Sequence, residues 1–197
     1  MENRSTLLQQ KREFTRSRLL DEALELFRTK GYFATTADDI SSAVGCSRAT
    51  FYLHFKSKSA IMIGILERMW PSVDDSIDEF ADEVAAGMTK KQLRVRIAEN
   101  LAGWDAMAGG ISALSVAQLI DPEVAQWLET KNARSVDRLT QAAPGKGGLS
   151  TRVLRVRIAI LTQMTLAAAN VESSRIGGSS AEVVDYLTDL WADLIAV

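Results

Sequence analysis

TTADDISSAVGCSRATFYLHF, residues 35–55, is the stretch on which the reading of the whole chain turns. Thr36 is placed to cap a helix, and Asp39, three residues on, can complete a capping box. Ile40 and Val44 stand i,i+4 with Ala43 beside them, which gives the short helix that follows one apolar stripe. Gly45 stands where that helix has to stop, because glycine enters a left-handed C′ conformation without steric cost. Ser47 can then cap a second helix whose first turn displays Arg48, Ala49 and Thr50, with Phe51 and Phe55 as apolar anchors. Two short helices joined by a glycine-containing turn predict a helix-turn-helix, in which the second helix enters the DNA major groove.

The flanks fit that unit. Upstream, Lys11, Arg12, Arg16 and Arg18 open a helix to about Lys30, with Leu20, Ala23, Leu24 and Phe27 at i, i+3, i+4, i+7 and Gly31 at its end. Met1–Gln10 reads as a polar, frayed arm. Cations at a helix N-terminus oppose the helix dipole, so the basic start is either a solvated turn or a contact for an external phosphate. Downstream, Ser57 can cap a helix to Trp70, where Pro71 predicts a stop. Ile61, Ile65, Leu66 and Met69 are its inward stripe, and the N–H groups near Lys58 make a natural phosphate site.

Taken together, Ala23, Phe27, Gly31-Tyr32, Thr35-Thr36, Ile40, Gly45, Ser47, Thr50-Phe51-Tyr52, His54-Phe55 and Ser57-Lys58 resemble the N-terminal domain of the TetR family of bacterial transcriptional regulators. The resemblance covers roughly Arg12–Trp70, about a third of the chain. Ser41, Val44 and Cys46 stand where the family often has Ala, Ala and Val. Ala49 replaces a frequent Gly, which bears on the bases read. Arg48 and Thr50, with Ser47 and Ala49 in the same turn, lie where base edges are met. The resemblance implies phosphate contacts at Thr36, Tyr52, His54 and Lys58. His54, the single histidine, reads alternatively as a packing residue, and Cys46 reads as a small turn residue.

Charge is distributed as such a protein requires. The 197 residues have a formal net charge of −2, but residues 1–70 hold 11 Lys and Arg against 8 Asp and Glu, while the remainder holds 12 against 17. A basic head on an acidic body suits a chain of which only the head meets phosphate. One cysteine excludes an intrachain disulfide and a CxxC metal site. The first twenty residues have no signal-peptide core, and no run is long and apolar enough to span a membrane. A soluble, cytoplasmic protein is expected, with no cofactor and no metal. No nucleophile, base and acid converge at suitable spacing, so an enzyme is not expected.

Beyond Pro71 the sequence predicts only helices. Ser72 with Asp75 opens one to about Ala86, ended by Gly87; Thr89 with Gln92 caps the next, to about Met107, before Gly109-Gly110. Ser112–Ile120 is a short helix. Asp121-Pro122 starts one to about Ala142, followed by a mobile loop, Pro144 to Gly148. Ser150 opens a helix to about Ser173, and Ser179 with Glu182 caps the last. The fold class is therefore all-α, with residues 1–56 as a three-helix DNA-binding domain and 57–197 as a helical bundle for ligand binding and dimerisation.

The last two helices are apolar on more than one face, which places them either centrally in one chain or against a second subunit. The TetR resemblance implies the second, as a homodimer, through Leu154, Leu161, Val183, Leu187, Leu190, Trp191 and Leu194. Trp104, Met107, Gln118, Trp127 and Gln163 are candidates to line a pocket for a small-molecule effector, and read equally as core. The function expected is a ligand-responsive regulator, a repressor on a palindromic operator in double-stranded DNA. The alternative is a DNA-bound protein that recruits a protein partner and has no effector.

Overall fold

The computed structural model describes residues 2–106, 108–143, 149–170 and 179–195, with side chains described outside 2–5, 104–112 and 169–170. Among these the chain is all-α: α1 (Glu2–Thr29), α2 (Ala37–Val44), α3 (Arg48–His54), α4 (Lys58–Ala86), α5 (Lys90–Ala106), α6 (Ala108–Ile120), α7 (Pro122–Ala142), α8 (Thr151–Asn170) and α9 (Ser180–Ile195). It divides into two compact units, one of residues 1–69 with 109–128 and the other of 70–108 with 129–197. The first unit thus takes in the start of α4 and a later segment, beyond the 1–56 span expected for the DNA-binding head.

In the first unit α1 packs on α2 and α2 on α3. Leu19, Ala23, Phe27, Tyr32, Ile40, Phe51, Phe55, Ile61 and Ile65 are buried. Ala23, Phe27, Ile40, Phe51, Phe55, Ile61 and Ile65 are the apolar anchors expected from sequence, whereas Leu24 is only half-buried and Leu19 takes a core place that the spacing does not assign. Phe27 and Tyr32 pack at 4.9 Å, Phe51 and Phe55 at 6.1 Å between ring centroids. Gly64 lets α4 come close: a Cβ there would lie 3.1 Å from both Leu20 and Phe55.

In the second unit Ala81, Val84, Leu93, Ile97, Leu139, Leu154, Ile158, Val184, Leu187 and Trp191 form one core. Phe80 meets Trp191 edge-on at 5.7 Å, and the Trp191 indole N–H donates to the Thr165 hydroxyl at 3.1 Å. Ion pairs flank this core: Lys90–Asp189 and Arg94–Asp185, both 2.6 Å, join α5 to α9, and Arg138 reaches Asp78 and Asp82 on α4.

Several expectations are corrected. Met1–Gln10 is not a separate arm, since α1 is helical from Glu2; nothing in the stretch breaks a helix, and Gln9 bonds Glu13 one turn on. Pro71 does not stop α4, which runs unbroken to Ala86. The apolar stripe of Ile61, Ile65 and Met69 continues in phase through Val73, Ile77 and Ala81. The buried Trp70 also bonds Asp74 across the proline at 3.1 Å. Those contacts outweigh a cost of about 3 kcal/mol for an interior proline. Gly109 and Gly110 lie inside α6, which begins at Ala108. The loop at 144–148 and the stretch 171–178 lie outside the described residues.

The residues expected at a dimer interface divide. Leu154, Leu161, Leu187, Trp191 and Leu194 are all buried within one chain, so they are spent on its own core. Val183 and Leu190 are half-buried. The apolar side chains that α8 and α9 leave uncovered are others: Val153, Val156, Ile160, Met164 and Tyr186. A helical wheel read from sequence finds two apolar faces but cannot say which one the chain keeps for itself.

Candidate nucleic-acid interface

The helix-turn-helix is built by local bonds. The Thr36 hydroxyl accepts the Asp39 backbone N–H at 3.1 Å, and the Asp39 carboxylate accepts the Thr36 N–H at 2.8 Å, a complete capping box. Lys30 adds a 2.7 Å ion pair to the same carboxylate. These partners hold the Asp39 carboxyl well below its usual range, at about 2, with Lys30 the largest influence. Gly45 ends α2 in the left-handed conformation, φ 75°, with its N–H and that of Cys46 closing on Ser42 and Ser41. The Ser47 hydroxyl then accepts the Thr50 N–H at 3.1 Å and starts α3.

Ser47 at the cap and Arg48, Ala49 and Tyr52 on α3 are exposed, and Thr50 is half-exposed. Thr36 is exposed at the start of α2. The Arg48 guanidinium is not idle: it pairs with Asp38 on α2 at 3.0 Å and lies 5.6 Å over the Tyr52 ring. Both members of the pair are mostly exposed, so the bond is weak and another acceptor can compete for the arginine. The arrangement aims Arg48 across the exposed face of α3 and keeps its charge there. Sequence spacing did not reveal Asp38 as its partner, because i,i+10 across a turn follows no helical period.

His54 and Lys58 are held differently from what was expected. His54 is half-buried, and burial together with Arg12 and Arg16 pushes its pKa below the usual value. The charged imidazolium is thereby disfavoured, and the ring can offer a phosphate a hydrogen bond. The Lys58 ammonium donates to the carbonyls of Tyr32 at 2.9 Å and Phe33 at 3.3 Å and sits 4.4 Å over the Tyr32 ring. Two of its three donors are thus used to fasten the turn between α1 and α2, and burial lowers its pKa. Arg16, part of the basic start of α1, stacks on Phe55 at 4.4 Å and donates to the His54 carbonyl.

The same turn is tied to a distant part of the sequence. The Tyr32 hydroxyl, on a buried ring, donates to the Asp121 carboxylate, and Ser59 donates to Glu123 at 2.7 Å. Asp121 and Glu123 bracket the start of α7. Burial and the neighbouring carboxylates push the Tyr32 pKa well up, so it remains a donor. Sequence reading identified Asp121 only as a helix cap.

Of the five residues expected to line an effector pocket, three have described side chains. Gln118 and Gln163 are exposed and Trp127 is half-buried, while Met107 and the Trp104 side chain lie outside the described residues. An open groove of about 620 Å³ in the second unit is lined by Glu83, Met88, Lys91, Gln92, Val95 and Glu99 among others, and by none of the five. Among the described residues no three His, Cys, Asp or Glu side chains cluster as metal ligands, and no helix is long and apolar enough to cross a membrane.

Residues 19–65 match the family model of bacterial regulatory proteins, tetR family. Over 82 residues the chain is 32% identical to the uncharacterized HTH-type transcriptional regulator YerO of Bacillus subtilis (strain 168), a stretch that is 42% of this chain and 28% of that one. Over 46 residues it is 44% identical to the biofilm operon icaADBC HTH-type negative transcriptional regulator IcaR of Staphylococcus aureus (strain Newman), 23% of this chain and 25% of that one. The matched segments thus span little more than a quarter of these curated relatives. Whole-chain likeness is of fold. A TetR-like transcriptional regulator from Rhodococcus sp. RHA1 superposes with a TM-score of 0.65 at 17% identity, covering 91% of this chain and 95% of that one. Thermus thermophilus FadR, a TetR family transcriptional repressor in complex with lauroyl-CoA, gives 0.61 at 19%, covering 91% and 93%.

Proposed function

We infer from membership of the TetR family, carried by residues 19–65, that this DNA-binding transcriptional regulator acts as a homodimer on a palindromic operator. The observation that carries the reading is the exposed face of α3, where Arg48 is held over Tyr52 with only an exposed carboxylate to leave. Thr36, Ser47, Ala49, Thr50 and His54 surround it as hydrogen-bonding or close-approach positions. Occupying an operator blocks transcription, as the negative regulator IcaR and the repressor FadR suggest by analogy. The place of action is the cytoplasm, where bacterial DNA lies.

Release from DNA is assigned to a small-molecule effector bound by the helical body. The acyl-CoA held by FadR makes long-chain thioesters the first compounds to try. An effector acts only through differential affinity for two states, and a hundredfold loss of DNA affinity needs about 2.7 kcal/mol of it. A second reading, recruitment of a protein partner without an effector, is favoured by a separate observation. Val116, Leu119 and Ile120 near the end of α6 are exposed, Leu119 by 85%.

Selection of bound sites from a random DNA pool tests the main reading. The expected product is a site with two-fold symmetry and half-sites about 34–36 Å apart, or a multiple of that. Bound sites without symmetry overturn the dimeric-operator reading. Thioester titrations that leave DNA affinity unchanged, with Leu119→Glu abolishing regulation but not DNA binding, favour recruitment.

A further inference from the structure

Helix α3 has seven residues, and one of those it shows to solvent is a leucine. Phe51 and Phe55 are buried in the head, which leaves Arg48, Ala49, Tyr52 and Leu53, at i, i+1, i+4, i+5, on the outward face. The Tyr52 ring is engaged by the Arg48 guanidinium. Leu53 is 68% exposed, with Ala49 one turn before it. Single apolar residues are common on protein surfaces, and exposure alone assigns Leu53 nothing. Its place does: it shares a face with Arg48, on the second helix of a helix-turn-helix.

The side chains of α3 limit which bases the helix can read. Between Arg48 and His54 there is no Asn, Gln, Asp, Glu or Lys. The bidentate amide bond that recognises adenine is therefore not available from α3, nor is a carboxylate to accept from cytosine. Arg48 suits guanine. The Thr50 hydroxyl is already bonded to that of Ser47 at 2.9 Å. Of the four bases only thymine shows an apolar group in the major groove, its C5-methyl. A leucine set against that methyl leaves no hydrogen bond unmade. Set against an amino or carbonyl edge, it would strand a polar group without a partner.

We propose that Leu53 determines specificity for thymine, its side chain packing on the C5-methyl group of one thymine in each half-site. The inference rests on the operator-binding reading above and deepens it by naming the chemistry of a base that α3 selects. Ala49, small and one turn earlier, lets the helix approach closely enough for the contact. Covering the leucine and the methyl together removes apolar surface of both from water. Cytosine in the same place would put its amino donor against the leucine, so the wrong base is rejected as well as the right one bound. Arg48 and Leu53 thus read by opposite chemistry from one face.

Deoxyuridine in place of thymidine removes the C5-methyl and keeps the pairing edge. In the operator obtained by selection, each thymine of one half-site is replaced in turn by uracil, and the affinity of the parent and of Leu53→Ala is measured. At one of these positions the parent should bind about fourfold more weakly, the worth of one buried methyl. Leu53→Ala should bind the thymine operator more weakly than the parent and no longer distinguish thymine from uracil there. Its salt dependence should equal the parent's, because no phosphate contact is lost. The replaced side chain is exposed and alanine favours a helix, so the melting temperature should not fall. A selected half-site without thymine, a parent indifferent to uracil at every position, or a Leu53→Ala variant as sensitive to uracil as the parent would overturn the assignment while leaving operator binding intact. A parent that binds DNA with no sequence preference overturns the operator reading itself.

Discussion

The recognition helix α3 and the last two helices both offer side chains to something outside the chain, by opposite means. On α3 the polar groups on display already have partners, with exposed Leu53 beside them: Arg48 has Asp38, Thr50 has Ser47, and the turn behind them has Lys58. A ligand there must compete for groups that are already bonded, which favours a partner with strong, directed acceptors such as phosphates and base edges. On α8 and α9 exposed apolar side chains lie among exposed charges, and the apolar ones need only be covered, so a matching surface suffices for them. Rigid presentation therefore suits sequence discrimination at one end, while bare apolar surface suits assembly at the other.

The sharpest way to break this contrast is to substitute on the two faces of the body helices. Leu187, 2% exposed, belongs to the core, and Leu187→Ala should lower stability by about 2–5 kcal/mol, read as a fall in the urea midpoint. Ile160, 54% exposed, belongs to the surface, and Ile160→Glu should leave the chain folded but monomeric by sedimentation. If Ile160→Glu unfolds the protein, or Leu187→Ala only dissociates it, the assignment of the two faces is reversed.

At the DNA end the largest expected effect is that of Arg48→Ala, about tenfold or more in operator affinity, with preference relaxed at one base pair of each half-site. Repeating the site selection with the variant measures both. Retention of full preference would mean that Arg48 stays on Asp38 in the complex. Lys58→Met should behave otherwise. Its ammonium fastens the carbonyls of Tyr32 and Phe33, so the variant should melt lower while the salt dependence of DNA binding changes by less than one phosphate contact. A full unit of slope lost, with melting unchanged, would return Lys58 to the phosphate-contacting role implied by the resemblance.

The two regions were also unequally legible. Caps at Thr36, Ser47, Ser57, Thr89 and Ser179, and the stops at Gly45 and Gly87, depend on groups within a few residues, and each is found where the spacing puts it. Pro71 misled because its local cost is overridden by packing on either side, including the buried Trp70. The use made of Lys58, the Arg48–Asp38 pair and the Tyr32–Asp121 bond depend on residues 10 to 89 positions apart, which no local period encodes. The effector pocket was least legible, since Trp, Met and Gln on neighbouring helices serve core and surface as readily as a lining.

The smallest expected effect lies in the capping box. The Asp39 carboxyl is drawn from its ordinary 3.8 down to about 2 by the Lys30 ammonium, then by the hydroxyl and backbone N–H of Thr36. In the unfolded chain those partners are dispersed and the carboxyl titrates near its usual value, about 3.9. The folded state therefore holds the group deprotonated where the unfolded state has begun to bind a proton. Its contribution should be whole above about pH 5 and be lost as pH falls through about 4 toward 2. Urea midpoints of the parent and of Asp39→Asn should differ by a constant amount from pH 7 to pH 5 and converge below that. Because the group is exposed, salt should shrink the Lys30 part of the difference and leave the Thr36 part. Two curves that stay parallel down to pH 2 would show that the carboxylate charge contributes nothing, and that shape and hydrogen bonding alone start α2.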